Sequence, residues 1–207
     1  MEIISFFHPI KDEAAVRERI MEEAKKDRRV KYTIAMLKDA LVRAMATEHI
    51  SKISVKSLCE LADINRSTFY AHFDDQYALL RYIEREVMDN VKQALKNQDF
   101  DDKRPISFQV LHRILEYVRE NADLFKALLS ENCEPGIQRE LMNFSQVISF
   151  HLINKYDQRL QDYLTIYATT GCISLIQKWL QDGMPESTMQ ITEYILQMLY
   201  KGMASFE

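Results

Sequence analysis

The sequence predicts an all-α protein, with a small three-helix domain near the N-terminus and a larger helical domain after it. Only four glycines and four prolines are available for the turns that a β-rich fold needs. Of the 207 residues, 47% are hydrophobic, which is enough for two packed cores. The first helix of the small domain is predicted by apolar residues that recur with the 3.6-residue helical period: Val30, Ile34, Leu37, Leu41 and Met45.

Residues 51–80 predict a helix-turn-helix, in which two short helices are joined by a tight turn. Ser54 and Asn65 are residue types that cap the N-termini of helices, and Asp63 tolerates the special backbone of a turn. Ile64 is expected to fill the angle between the two helices. The side chains predicted to face the core are Leu58, Leu61 and Ala62 from the first helix, and Phe69 and Phe73 from the second.

The opposite face of the second helix, predicted over residues 66–73, has chemistry that suits DNA. Arg66 can reach guanine or phosphate, and Ser67 and Ala71 are small enough for close approach. Thr68, Tyr70 and His72 offer hydrogen-bond donors to phosphate oxygens. An ordinary helical hairpin, with Tyr70 and His72 as surface residues, is the alternative interpretation.

This segment resembles the DNA-binding part of the TetR family of bacterial transcription regulators. The matching pieces are Ile53-Ser54-Val55, Leu61-Ala62, Ser67-Thr68-Phe69-Tyr70, His72-Phe73 and Leu79-Leu80. The resemblance implies that Thr68, Tyr70 and His72 bind phosphates, that Arg66 and Ser67 face bases, and that Ser54 presents the N-terminus of its helix to the DNA backbone. The full set of residues expected to contact DNA is Ser54, Lys56, Asn65, Arg66, Ser67, Thr68, Tyr70 and His72.

Three positions depart from the family pattern. His49 and Asp63 stand where the family usually has glycine, at the end of the first helix and at the turn. Gln76 stands where the family usually has a lysine that binds phosphate, so this phosphate contact is in doubt. With these departures, we divide the chain into an N-terminal extension (1–22), a helix-turn-helix DNA-binding domain (23–80) and a helical dimerisation and effector domain (81–207).

The formal charge of −4 is unevenly distributed along the chain. Residues 24–80 contain 10 basic and 7 acidic side chains, so the segment with the helix-turn-helix is net positive. Lys25, Lys26, Arg28, Arg29 and Lys31 precede the motif and could follow phosphates or a minor groove, or could simply be a solvated helix start. No apolar run is long enough to cross a bilayer, and the N-terminus lacks the features of a signal peptide. We therefore expect a cytoplasmic protein with no membrane partner.

Beyond residue 76 the sequence predicts further helices. One helix, at 77–95, should connect the domains, and others follow at 108–120, at 124–130 with Asp123 as its cap, and at 137–155. In the helix before the last, large and small side chains spaced four residues apart share one face. Ser187 and Gln190 predict a capping box at the start of the final helix. The residues predicted to form a dimer interface are Tyr167, Gly171, Leu175, Trp179, Ile195 and Met198.

Alternatively, the apolar faces of these last two helices pack into the core of their own chain. This region resembles the C-terminal domain of a TetR subgroup common in low-GC Gram-positive bacteria, through the segments 124–129 and 182–187 and the spacing of Tyr167, Gly171 and Trp179. The resemblance implies that the last two helices pair with those of a second subunit in a four-helix interface. Together the two resemblances cover nearly everything after residue 20.

No motif for catalysis, cofactor binding or metal binding is recognisable. Cys59, Cys133 and Cys172 lack the spacing of a disulfide framework or a zinc site, and the five histidines lack the spacing of metal ligands. We therefore expect no enzyme activity and no cofactor. The function expected is that of a homodimeric repressor that binds a palindromic double-stranded DNA operator and releases it when a small molecule or partner reshapes the C-terminal domain. The alternative is a co-activator that works through a protein partner without a small-molecule effector.

Overall fold

The computed structural model describes residues 13–95, 107–133, 136 and 157–202. Within these ranges the chain forms helices and no β-strand, as the sequence predicts. The helices are α1 (Glu13–Met45), a 3₁₀ turn (Ile50–Lys52), α2 (Val55–Ala62), α3 (Arg66–Tyr70), α4 (Gln76–Leu95), α5 (Phe108–Glu120), α6 (Ala122–Leu128), α7 (Gln158–Gln181) and α8 (Thr188–Lys201). None of the described helices is both long and apolar enough to span a membrane.

The C-terminal part of α1 packs against α2 and, with α3, forms the three-helix head. The predicted apolar stripe is confirmed in its second half, because Leu37, Leu41 and Met45 are fully buried. Towards its N-terminus α1 continues without a break through the predicted boundary between residues 22 and 23. Met21 and Lys25 are exposed there, so this half of the helix projects beyond the packed head.

Helix α4 connects the head to the C-terminal domain, and its bounds agree closely with the prediction. Leu80, Ile83 and Val87 are buried along one face, and Val91 continues the same face. On a half-buried flank, Lys38 of α1 donates to Glu86 Oε1 at 2.5 Å, which fixes α4 against α1.

In the C-terminal domain, α5 packs on α8 and α6 packs on α7. Helix α5 occupies the predicted residues, but the predicted start of α6 at Leu124 with Asp123 as its cap is wrong. Asn121 precedes the first residue of α6 instead, and its side chain donates back to Tyr117 O at 2.9 Å rather than capping α6. The helix predicted at 137–155 lies outside the described residues.

One hydrophobic core runs through both domains. It extends from Leu41 in the head, through Ile83 of α4 and Leu115 of α5, to Trp179 and Ile195 of the last two helices. The head is therefore packed against the C-terminal domain rather than tethered to it by a linker.

Candidate DNA-binding site

Ser54, the predicted cap of α2, forms a capping box with Ser57, which stands where such a box usually has an acidic or amide residue. Ser54 Oγ accepts from the backbone N–H of Ser57 at 3.1 Å, and the backbone N–H of Ser54 donates to Ser57 Oγ at 3.2 Å. Ser54 is thus confirmed as the cap. The remaining free N–H groups of this first turn point out of the helix N-terminus, where an anion such as a phosphate is favoured.

The turn between α2 and α3 depends on Asp63. This residue has a φ of 53° and a ψ of 47°, the left-handed conformation in which the family usually has glycine. The next residue, Ile64, donates its N–H to Cys59 O at 3.0 Å and lies half-buried against the core. Asp63 therefore reverses the chain at some backbone cost, and the prediction of a turn at these two residues is confirmed.

Helix α3 is shorter than predicted, but its core face is as expected. It spans only Arg66–Tyr70 and is capped by Asn65, whose Oδ1 accepts from the N–H of Ser67 at 3.3 Å. Phe69 is completely buried, and the ring of Phe73, which follows the helix in a turn, lies 5.9 Å from it. Two aromatic anchors thus fix a helix too short to be stable alone.

The remaining side chains of α3, with Ala71 and His72 of the turn after it, form one open polar face. Arg66, Ser67, Tyr70 and Ala71 are exposed, while Thr68 and His72 are half-buried on its flank. Tyr70 is 56% exposed, and its ring packs edge-on against Phe69 at 5.6 Å, which fixes the ring and leaves the hydroxyl outside. The predicted contact residues on this helix therefore lie together on one accessible surface.

The flanks of this face carry the other predicted contact residues. Ser54, Lys56 and Asn65 are all exposed. Lys56 pairs only loosely with Glu60, at 3.9 Å and with both side chains more than 60% exposed, so the pair contributes little and leaves the ammonium group accessible. Burial raises the pKa of the neighbouring Cys59 thiol, against the smaller lowering effect of Arg66, so no thiolate charge offsets the basic face at neutral pH.

The prediction that Leu61 of α2 faces the core is wrong. Leu61 is 46% exposed, whereas Leu58, Cys59 and Ala62 are buried. The buried three share an arc of the helix that leaves Leu61 outside it, so the helical period could have revealed the error. Leu61 therefore adds an apolar side chain to the outer surface of the head, and its carbonyl accepts from Arg43 Nη2 at 3.4 Å.

The basic N-terminal half of α1 has a distinct surface of its own. Lys25, Arg29 and Tyr32 recur with helical spacing, and together with Arg28 and Thr33 they line a shallow open depression. Tyr32 is 66% exposed, an aromatic residue that the sequence reasoning did not single out.

The six residues predicted for a dimer interface divide into two groups. Trp179 and Ile195 are 3% and 1% exposed within their own chain, and Trp179 Nε1 donates to Glu186 O at 3.0 Å, so these two belong to the intramolecular core. Tyr167 is 68% exposed, and a Cβ built on Gly171 would have no neighbour within 4 Å. Leu175 and Met198 are half-buried.

The exposed group belongs to a larger apolar surface on the N-terminal half of α7. Its other members are Leu160, Tyr163, Leu164 and Ile166. An apolar surface of this extent on a folded chain is typical of a protein contact. Across the described part of the chain, no group of three or more His, Cys, Asp or Glu side chains could hold a metal ion.

A capped helix-turn-helix with an open polar recognition face, mounted on a larger helical domain, defines the class of helix-turn-helix transcription regulators. A family model described as the transcriptional regulator C-terminal region matches residues 106–201. The HTH-type transcriptional regulator YxbF of Bacillus subtilis (strain 168) is 22% identical over 103 residues, 46% of this chain and 26% of that protein. The chain thus spans about a quarter of the length of that curated relative.

Two solved structures have the same fold. The TetR transcriptional regulator from Streptococcus agalactiae 2603V has a TM-score of 0.58 at 21% identity, over 86% of this chain and 98% of that one. The transcriptional regulator FadR from Bacillus subtilis, solved in complex with stearoyl-CoA, has a TM-score of 0.60 at 15% identity, over 82% of this chain and 98% of that one. The chain thus has the fold of these regulators, and its residues 106–201 match the C-terminal region of transcriptional regulators.

Proposed function

We propose that this protein is a homodimeric repressor that binds a palindromic operator in double-stranded DNA through α3. The observation that carries the proposal is the open polar face of α3, anchored from behind by Phe69. Such a face can enter a major groove because nothing on it is committed to the core. The protein would act in the cytoplasm, where the operator is.

The residues of this face would contact different parts of the DNA, according to their position and chemistry. Arg66 and Ser67, at the N-terminal end of α3, would face the bases, where a guanidinium group can contact guanine O6 and N7. Tyr70, Thr68 and His72 would donate to phosphates. On the flank, Ser54 and Lys56 would contact the backbone at the N-terminus of α2.

The exposed apolar surface of α7 supports the dimer that this proposal requires. A palindrome requires two recognition helices related by a two-fold axis and about 34–36 Å apart. Tyr167 and Gly171 lie on the face that a second α7 could cover, whereas Trp179 and Ile195 would support that face from inside. A contact of this kind would be isologous, so each substitution in it acts twice.

The effector would be a small molecule that binds beside α4 and α5. An open depression between these helices is lined in part by the apolar residues Val91 and Ile114, by Tyr117 and by Arg113. Tyr117 Oη accepts from Asn90 Nδ2 at 2.8 Å and joins the two helices at this point. Apolar and cationic side chains together suit a ligand with an apolar part and an anionic group, and FadR from Bacillus subtilis, which has a similar fold, was solved with such a molecule, stearoyl-CoA.

The test is selection of DNA by the full-length protein from a random-sequence duplex library. We expect an inverted repeat whose half-sites are centred about one helical turn apart. Arg66→Ala should weaken binding and alter base preference, whereas Arg85→Ala, which removes the same charge from an exposed position on α4, should do neither. If the wild-type protein enriches no sequence, the repressor proposal is refuted. If acyl-CoA does not change the affinity for the operator but a protein partner co-purifies, the small-molecule effector is ruled out in favour of the co-activator alternative.

A further inference from the structure

The loop that follows α6 is bonded directly to the DNA-binding head through one residue, Asn132. Its side-chain Nδ2 donates to the backbone carbonyl of Met45 at 2.9 Å. Its own backbone carbonyl accepts from the N–H of Ile50, also at 2.9 Å. Asn132 and these partners are more than 80 residues apart in sequence, so the contact joins two different domains.

Both partners in the head are groups that its own helices leave unpaired. Met45 is the last residue of α1, where carbonyls lack an intrahelical donor. Ile50 begins the 3₁₀ turn, where the N–H groups lack an intrahelical acceptor. Asn132 therefore closes the connection 46–49 at both ends, and both Met45 and Ile50 are buried, so water is a poor substitute for it.

Asn132 is in turn held by the C-terminal domain. Its N–H donates to Ser130 Oγ at 3.2 Å, and that hydroxyl donates to Ala127 O in α6 at 2.8 Å. Gln177 of α7 donates from Nε2 to Leu129 O at 2.9 Å. The loop 129–133 is thus hydrogen-bonded to α7 near its start and to the end of α1 near its end.

We propose that Asn132 is a positioning residue, which fixes the orientation of the DNA-binding head relative to α7 and thereby sets the separation of the two recognition helices in the dimer. This inference rests on the proposed function. It assigns no DNA contact to Asn132 itself, because its bonds are to Met45 and Ile50, away from the open face of α3.

The inference makes a prediction that a merely stabilising contact does not. When one head of a dimer is bound, the second head binds its half-site intramolecularly, with an effective concentration set by how well it is oriented. Loosening the head lowers this effective concentration. It leaves the contact of one α3 with one half-site unchanged, since Phe69 and Phe73 still hold that helix.

The experiment compares Asn132→Ala with Asn121→Ala. The control removes a hydrogen bond of the same chemistry and length, from Asn121 Nδ2 to Tyr117 O at 2.9 Å, but one that is local to α5. The probes are the full inverted repeat selected by the wild-type protein and a duplex with only one half-site. We expect Asn132→Ala to weaken binding to the full repeat by roughly 2- to 10-fold, the usual effect of one hydrogen bond, and to leave half-site binding within about 2-fold.

Hydrogen exchange supplies a second readout that does not need DNA. Amides of residues 46–52 should exchange faster in Asn132→Ala than in the wild-type protein or Asn121→Ala, because the side-chain bond to Met45 O that holds this connection is lost. An equal loss on both duplexes would show that Asn132 only stabilises the head, and no loss on either would also overturn the inference. If the wild-type protein selects no inverted repeat, the proposed function itself fails, and this is seen before any Asn132 variant is tested.

Discussion

Replacement of Gly171 by leucine separates the stability of one subunit from that of the dimer. A Cβ at position 171 meets no atom within 4 Å in the chain, so the subunit leaves open space where a side chain would start. Glycine is about 0.8 kcal/mol less favourable than leucine inside a helix, and residue 171 lies well inside α7. The isolated subunit should therefore become slightly more stable.

The dimer should respond in the opposite direction. If a second α7 approaches Gly171 closely, a leucine overpacks the contact at a cost of about 1–3 kcal/mol per site. An isologous interface contains the site twice, so the total cost is about 2–6 kcal/mol. This corresponds to an increase of roughly 30-fold to 20,000-fold in the dimer dissociation constant. The gain in helix propensity does not offset it, because propensity contributes equally to the monomer and the dimer.

Sedimentation equilibrium over a range of protein concentrations measures the dimer dissociation constant, and an operator titration measures the consequence for DNA binding. Gly171→Ala is the matched control, because it shares most of the propensity gain and adds only one methyl group. We expect the order of dimer stability to be wild type, then alanine, then leucine. Operator affinity should fall with the dimer, since one head alone makes only half of the phosphate contacts.

A leucine variant that dimerises and binds operator like the wild-type protein would refute this reasoning. Because the subunit leaves open space beside Gly171, such a result would mean that no partner helix covers this position and would move the interface to another part of the exposed apolar surface, such as Tyr163 and Ile166.

Three further predictions follow from single side chains. Tyr70→Phe should weaken binding to operator and to random DNA alike, by about 10- to 100-fold in gel shifts at fixed salt, because a hydrogen bond to a charged group contributes about 1.5–3 kcal/mol. The two losses should be equal because a phosphate carries no sequence information, and a loss of affinity for the operator alone would contradict a phosphate role. Asp63→Val should lower the free energy of unfolding in urea by about 1–3 kcal/mol, because a β-branched residue is strained at a φ of 53°, whereas Asp63→Gly should be tolerated. Burial raises the pKa of the Cys172 thiol from 9.0 to about 11, so the folded state keeps a proton that the unfolded state loses, and stability should fall by about 3 kcal/mol between these pH values. In Cys172→Ala, stability should fall less than in the wild-type protein between about pH 8 and about pH 10.5, as measured by the urea midpoint of unfolding. If the variant and the wild-type protein lose the same stability over this range, the prediction is wrong.

The features that the sequence predicted well are those decided by neighbouring residues. Ser54 and Asn65 cap their helices because a short polar side chain can reach the free N–H groups two or three residues ahead. Phe69 and Phe73 share the core face because four residues are about one helical turn. Together with Asp63 at the turn, these local relations were enough to locate the candidate site.

The features that the sequence could not supply depend on distant parts of the chain. Trp179 and Ile195 lie on apolar stripes that would suit a dimer interface or a core equally well, and only the packing of α5 against α8 and α6 against α7 decides for the core. Asn132 carries no local signal at all, because its partners Met45 and Ile50 are defined by the tertiary fold. The roles of individual residues toward DNA and toward a second subunit remain predictions for the experiments above.

The core shared by the two domains has a consequence for how these regulators can diversify. Leu41, Ile83 and Leu115 bury surface against one continuous cluster, so the head and the C-terminal domain should unfold in one cooperative transition. If the head were replaced by that of another regulator, the surface that it packs against the C-terminal domain would not fit. The resulting cavities or steric overlaps would destabilise both domains. Under the proposed function, new operator specificity should therefore be acquired more easily by exchanging the few outward side chains of α3 than by exchanging whole domains.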